Sequence, residues 1–356
     1  MTGLLGHDLG LRPHIDALDG VPRTDVPQKA KDFTSDQEVR WCPGCGDYVI
    51  LATVRSLLPE LGVRRENLVF VSGIGCSSRF PYYLDTYGVH SIHGRAPTLA
   101  TGLAVTRPDL SVWVVTGDGD ALSIGGNHLV HALRRNVNMR ILLFNNRIYG
   151  LTKGQYSPTS EVGKVTKSSP GGSVDAPFNT LSLALGAEAS FVARALDSDR
   201  AGLTEVLRAA AHHRGTAFVE ILQDCPIFND GSFDVLRKDE APSHLIRLRH
   251  GEPIIFGVDN ELCVVRKGFG LRVVQRSEVD AADIVVHDAH TDDPEYAYAL
   301  SRLSDQDLRY VVTGIVRQVA RTTYDDAERA RVRVAQESGT ADLQQLLRGD
   351  NTWTVP

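Results

Sequence analysis

Apolar residues fall into short, nearly unbroken runs, separated by longer stretches in which they recur every three or four positions. The runs at 68–71, 110–115, 141–144 and 217–222 are too short for helices and rich in β-branched and aromatic side chains, so each reads as a strand. Residues 48–61, 95–106, 126–135 and 201–212 carry the helical period instead. Strands apolar on both faces are expected of parallel strands covered on both sides. Strand–helix alternation across residues 37–228 therefore predicts an α/β fold, a doubly wound and mainly parallel sheet. Ligands of such sheets bind where the strands end at their carboxyl side, which directs attention to the residues just after each strand.

The two ends of the chain look different. Residues 1–36 are polar, broken by Pro13, Pro22 and Pro27 and without a sustained period, so they read as an N-terminal arm that orders on a partner. Beyond residue 228, the runs 253–256 and 262–265 form a hairpin around Asp259-Asn260, and 293–303 and 324–337 are charged helical patterns. Residues 229–356 thus make a small C-terminal α+β extension to the domain at 37–228.

Composition narrows the class. With 42% hydrophobic residues in 356 the chain has material for a large core. Lys plus Arg number 38 and Asp plus Glu 44, and a net charge of −6 argues against a nucleic-acid partner. No apolar run approaches the ~20 residues of a membrane span. The start, Met1-Thr2-Gly3-Leu4-Leu5-Gly6, lacks the basic and apolar regions of a signal peptide, and the expected location is the cytoplasm.

The chemistry sits after the strands. Thr116-Gly117-Asp118-Gly119-Asp120 follows the strand at 110–115, and Asn145-Asn146 follows the one at 141–144. Two strand ends thus present a carboxylate and a carboxamide at one edge of the sheet. Such oxygen ligands suit Mg²⁺ shared with a diphosphate. Gly117 and Gly119 would let the backbone approach that diphosphate, and a following helix would face the anion with its N-terminus.

Five cysteines, at 42, 45, 76, 225 and 263, are too few and too odd in number for a disulfide scaffold. Cys42-Pro43-Gly44-Cys45 precedes the first helix, Cys76 follows the first strand and Cys225 the last, so these four can converge. Four thiolates suit a [4Fe–4S] cluster or a structural Zn²⁺. Cys263 lies within a strand pattern and reads as a buried apolar residue.

Taken together, Cys-Pro-Gly-Cys-Gly, the third cysteine at 76, Gly-Asp-Gly with Asn-Asn and the late Cys225 resemble the β subunit of 2-oxoacid:ferredoxin oxidoreductases, the 2-oxoglutarate members most closely. The segments Asn145-Asn146-Arg147-Ile148-Tyr149-Gly150-Leu151-Thr152-Lys153-Gly154-Gln155, Ile92-His93-Gly94-Arg95-Ala96 and Ile124-Gly125-Gly126-Asn127-His128 strengthen the match, which covers roughly residues 37–240. The resemblance implies a thiamine-diphosphate-binding fold. It makes Asp118, Asn146 and the carbonyl of Ile148 ligands of Mg²⁺, and Cys42, Cys45, Cys76 and Cys225 ligands of [4Fe–4S]. It places Gly75, Cys76, Ser77, His93, Gly117, Asp118, Gly119, Asp120, Asn146, Ile148, Gly150 and Leu151 around thiamine diphosphate. The implied reaction takes 2-oxoglutarate and coenzyme A to succinyl-CoA, CO₂ and reduced ferredoxin, a step of TCA-cycle chemistry.

Arg79 and Lys153 are candidate partners of the substrate carboxylates, and two cations suit a dicarboxylate better than pyruvate. Arg79 pairing with Asp85 is the competing reading. His93 either touches the diphosphate or is a solvated, capping histidine. His128 and His131 read as helix packing, and His212-His213 as favouring a helix's negative end. No second α/β domain to hold the aminopyrimidine is legible. An α subunit should supply it, in an αβ or (αβ)₂ assembly. The rivals are a pyruvate-specific β subunit, a non-redox thiamine-dependent decarboxylase subunit with structural zinc, and an iron–sulfur sensor on a degenerate thiamine fold.

Overall fold

The computed structural model describes residues 16–304, 307–337, 339 and 342–355. Its strands are β1 (Leu68–Ser72), β2 (Tyr87–His90), β3 (Ser111–Gly117), β4 (Met139–Asn145), β5 (Phe191–Leu196), β6 (Thr216–Leu222), β7 (Leu245–Arg247), β8 (Ile255–Phe256), β9 (Leu262–Lys267), β10 (Gly270–Gln275) and β11 (Val311–Gln318). Its helices are α1 (Asp47–Leu61), α2 (Ala96–Thr106), α3 (Asp118–Leu122), α4 (Gly126–Arg135), α5 (Thr180–Gly186), α6 (Arg200–His212), α7 (Ala241–His244), α8 (Pro294–Ser301), α9 (Tyr324–Glu337) and α10 (Leu343–Arg348).

Eight strands form one sheet in the order β2-β1-β3-β4-β6-β5-β11-β7, parallel from β2 through β5. Alternate residues of each strand serve opposite faces. Val71, Val114 and Ile141 pack with Ala100, Leu129 and Leu185 of α2, α4 and α5. Phe70, Val115 and Leu142 pack on the other face with Val54 and Leu57 of α1 and Leu203 of α6. Ala96, Ala100 and Ala104 recur every four residues along α2, a small-residue stripe that lets the helix lie close to the sheet. Glycine in the left-handed region ends α1 at Gly62 (φ 62°), and Asp199 opens α6 by accepting from the Gly202 amide at 3.0 Å. The α/β fold is the one the alternating pattern predicts.

The region beyond Phe228 contributes to both a new sheet and the old one. β8, β9 and β10 make a three-stranded antiparallel sheet, with the expected hairpin at 253–265 as its first half and Cys263 buried in β9. β11 instead runs antiparallel to β5 and parallel to β7, extending the main sheet by two strands. Periodicity did not reveal β2, β5, β7, β10 or β11. β2 is an exposed edge, Arg194 interrupts β5, and Gly314 interrupts β11 where the chain passes 2.7 Å from the Leu248 carbonyl, measured from a Cβ built on the glycine. Of the 1–36 arm, residues 1–15 lie outside the described residues. Ala17, Leu18, Val21 and Phe33 are buried, and the last three join the same core as α1 and α6.

Buried charges tie the strands together. Arg194 on β5 and Glu220 on β6 pair at 2.6 Å, and Glu220 also accepts from the Asn145 amide at 2.6 Å. Arg140 on β4 is fully buried with its guanidinium on the Ala210 and Ala211 carbonyls, where it satisfies the last turn of α6.

Candidate functional site

The first strands diverge from one another at β1, since β2 lies to one side of it and β3 and β4 to the other. That is a topological switch point, and a cavity of about 480 Å³ opens there at the carboxyl ends of the strands. Ile74 to Ser77 after β1, His93 after β2, Gly117 to Asp120 after β3 and Asn146 and Ile148 to Thr152 after β4 line it, with Phe144 and Gln155. The twelve positions implied for thiamine diphosphate all fall on this one lining. Ile74, Phe144, Tyr149, Thr152 and Gln155 complete it and were not singled out.

Asp118 is a buried carboxylate on the cavity lining. Its Oδ2 accepts from Ser157 Oγ at 2.5 Å and Thr159 Oγ1 at 2.6 Å. Burial pushes its pKa up to about 6 against these donors. Asn146 holds its Oδ1 toward the Ile148 amide at 3.2 Å and donates from Nδ2 to Gln223 Oε1 at 2.8 Å. Ser157 and Thr159 reach the site from the loop after β4 and Gln223 directly follows β6; none of the three was singled out as a site residue. A Cβ on Gly119 would stand 2.3 Å from the Tyr149 ring, so only glycine lets Tyr149 cover the turn and donate to the Gly119 carbonyl at 2.8 Å. A carboxylate, a carboxamide oxygen and a backbone carbonyl form a hard-oxygen donor set that fits Mg²⁺.

Asp120 behaves differently. Its Oδ1 accepts from His93 Nδ1, from the Gly94 amide at 2.8 Å and from the Ile74 amide at 3.2 Å, and its Oδ2 accepts from Thr116 Oγ1 at 2.6 Å. The loops after β1 and β2 are thereby tied to the end of β3.

The four early and late cysteines come together beside this cavity. Gly44 (φ 82°) folds the Cys42–Cys45 turn onto Pro226, whose Cγ lies 3.7 Å from the Cβ position of the glycine. Gln223 Nε2 donates to Cys45 Sγ at 3.3 Å. Cys76 Sγ and Cys225 Sγ lie 3.6 and 3.8 Å from the point a Cβ on Gly150 would occupy. Burial pushes the Cys76 thiol up to about 12 and raises those of Cys45 and Cys225, with neighbouring thiols adding to the shift for each of the three. Such thiols ionise only beside a strong positive charge, which fits a metal cluster. Among the described residues no three His, Cys, Asp or Glu side chains converge on one point as a single ion requires.

The remaining expectations divide. Arg79 lines a second cavity of about 370 Å³ that shares Gly75 and Leu151 with the first. Its guanidinium reaches the Arg40 carbonyl at 3.4 Å, while Asp85 pairs with Arg65, so the Arg79–Asp85 reading is set aside. Lys153 is exposed, in the left-handed region at φ 75°, and is not on the cavity lining. His131 is exposed on α4 rather than packed. His212 pairs with Asp16 at 2.6 Å, and His213 is buried against Ser190 Oγ at 2.8 Å, so neither serves simply as a helix-end charge.

Comparison with known proteins agrees with this geometry. Residues 73–221 match the model of the thiamine pyrophosphate enzyme, C-terminal TPP binding domain. The chain is 72% identical over 362 residues to 2-oxoglutarate oxidoreductase subunit KorB of Mycobacterium tuberculosis, covering 100% of this chain and 97% of that one. The chain belongs to the β subunits of the 2-oxoacid:ferredoxin oxidoreductases. Within that family it is 44% identical over 187 residues to 2-oxoglutarate synthase subunit KorB of Archaeoglobus fulgidus, covering 52% of this chain and 69% of the relative. Among solved structures it resembles a 2-oxoglutarate:ferredoxin oxidoreductase from Magnetococcus marinus with 2-oxoglutarate, coenzyme A and succinyl-CoA bound. That match has a TM-score of 0.74 at 33% identity and covers 92% of this chain and 97% of that one. No described helix is long and apolar enough to cross a membrane.

Proposed function

We propose that the chain is the thiamine diphosphate- and iron–sulfur-binding β subunit of a 2-oxoglutarate:ferredoxin oxidoreductase in the cytoplasm. With an α subunit it converts 2-oxoglutarate and coenzyme A to succinyl-CoA and CO₂, reducing ferredoxin. The observation that carries this reading is the wall common to the two sites. Cys76 and Gly150 line the cavity, and Cys76 and Cys225 Sγ both lie against Gly150. A cluster held by these thiols would lie against the wall of the cavity and could take up electrons released there.

Asp118, the Asn146 carboxamide oxygen and the Ile148 carbonyl would hold Mg²⁺, with Gly117 and Gly119 leaving room for the diphosphate. Thiamine diphosphate supplies the electron sink for decarboxylation. Ile74, Phe144, Ile148 and Leu151 make the cavity largely apolar and exclude water around the reacting carbon. Cys42, Cys45, Cys76 and Cys225 would hold [4Fe–4S]. Arg79, which lines the adjoining cavity that shares Gly75 and Leu151 with the first, would take the distal carboxylate of a dicarboxylate. Lys153 remains a weaker candidate for that role.

The test is an anaerobic optical spectrum with iron and zinc analysis on the chain purified with its natural partner. About four irons per chain and a broad absorbance near ~400 nm that bleaches with 2-oxoglutarate plus coenzyme A are expected. Bleaching with pyruvate instead changes the substrate but keeps the family. A colourless, zinc-containing protein overturns the redox reading in favour of a non-redox decarboxylase subunit. The separated chain should be catalytically silent, and adding the α subunit should restore turnover.

A further inference from the structure

We propose that Gln223 is a positioning residue shared by the two sites. One end of its amide orients Asn146 for Mg²⁺, and the other holds a hydrogen-bond donor on the Cys45 sulfur. The inference rests on the function proposed above and concerns how this chain's own side chains meet the two groups it would carry.

Register places the glutamine between the sites. β4 and β6 are neighbouring parallel strands that end opposite each other at Asn145 and Leu222. Asn146 and Gln223 are therefore the first residues beyond two adjacent strand ends, and the Gln223 backbone amide donates to the Asn145 carbonyl at 2.9 Å. Cys225 follows two residues later. The Cys45 turn closes from the other side. The Gly46 amide donates to the Asp224 carbonyl at 3.2 Å, and a Cβ on Gly46 would stand 3.1 Å from Gln223 Cγ. Gln223 is 1% exposed, so its amide must find its partners within the protein.

A relay of donors and acceptors fixes which way that amide points. The Ile148 backbone amide can only donate, so the Asn146 atom it meets at 3.2 Å is Oδ1. Nδ2 of Asn146 then faces Gln223, and the atom that accepts from it at 2.8 Å is Oε1. Nε2 is left with two hydrogens and two acceptors, Cys45 Sγ at 3.3 Å and the Asp224 carbonyl. One backbone amide thus dictates, through two side chains, that the group facing the sulfur is a donor.

Each end has its own physical effect. A partner that orients a metal ligand is typically worth about 10–100-fold in metal affinity, and Gln223 is that partner for the Asn146 carboxamide. At Cys45 an N–H aimed at sulfur favours added negative charge, which a cluster gains on reduction, so the donor raises its reduction potential. Backbone amides bond the sulfurs too, that of Asp47 at Cys45 and those of Ile227, Phe228 and Asn229 at Cys225. Among these donors Gln223 is the one whose side chain also holds the Asn146 carboxamide. A single substitution can therefore reach both sites.

The experiment uses the complete αβ enzyme, handled anaerobically, carrying Gln223→Met or Gln223→Glu. Two readouts are taken besides turnover: thiamine diphosphate affinity at fixed Mg²⁺, and the cluster's midpoint potential from a redox titration followed by electron paramagnetic resonance. Gln223→Met keeps the length of the side chain and loses both ends. Its cofactor affinity should fall about tenfold or more. Its cluster should be about tenfold harder to reduce at a given potential, a downward shift of ~59 mV for one electron. Gln223→Glu keeps an oxygen for Asn146 and loses the amide donor, so most of the cofactor affinity should return while the potential stays low. An unchanged potential in either variant, with its iron retained, would overturn the proposal. So would unchanged cofactor affinity in Gln223→Met, or an equal loss of affinity in both variants. Should Gln223→Met fail to assemble, the potential and affinity of Gln223→Glu decide the matter. If the unmodified complex carries no iron or binds no thiamine diphosphate, the proposed function itself fails, a result distinct from all of these.

Discussion

Asp118 and Asp120 stand one residue apart on the same turn, yet their carboxylates have opposite fates. Asp120 spends its acceptor positions on two loops and a strand end. Asp118 meets two hydroxyls at one oxygen, Oδ2, and stays on the cavity lining. Asp118→Ala is expected to abolish Mg²⁺-dependent retention of thiamine diphosphate through dialysis while leaving the iron content unchanged. Normal cofactor occupancy in that variant would remove Asp118 from the site. The Gly-Asp-Gly turn was legible because its residues are contiguous and follow a strong strand. The division of labour within it was not, since it depends on Ser157, Thr159 and the Gly94 amide, none of which shares a periodicity with the turn.

At the scale of elements, the sheet is held by more than apolar packing. Glu220 on β6 neutralises Arg194 on β5 and anchors Asn145 at the end of β4, so one carboxylate links three strands. Glu220→Gln leaves Arg194 buried without its counter-charge, and a loss of about 3–5 kcal/mol is expected from urea denaturation. The strands with unbroken apolar runs could be read directly from the chain. β5 and β11 could not, because Arg194 and Gly314 break their patterns for reasons visible only across the strand pair. The cysteines separate by element as well. Cys225 lies in the loop after β6 beside the cavity, and Cys263 is buried in β9 of the second sheet. Cys225→Ser should lose the cluster or leave it labile, whereas Cys263→Ser should keep it. The opposite pattern in visible absorbance would disprove the ligand set.

The whole molecule should respond to acid through one buried ring in particular. Burial, with the Arg140 charge adding to it, lowers the His213 pKa from 6.5 to about 3. The unfolded chain accepts a proton there below its ordinary pKa, and the folded protein refuses it. Stability linked to His213 therefore falls as pH drops from 6.5 towards 3, by up to about 1.4 kcal/mol per pH unit. His213→Gln, which can still meet Ser190, should flatten that slope when urea midpoints are compared at neutral and acid pH. An unchanged slope would show that other groups carry the acid response. The closing of the sheet by β11 also bears on how the protein is made. β5 ends at Leu196 and its neighbour β11 begins only at Val311. On the ribosome, β5 waits through the synthesis of all the chain between them with one edge unpaired, and such an edge is a template for strangers. The nascent subunit is thus exposed to mispairing until β11 has been made, and a chain cut short before Val311 should be an aggregation-prone fragment in place of a smaller enzyme.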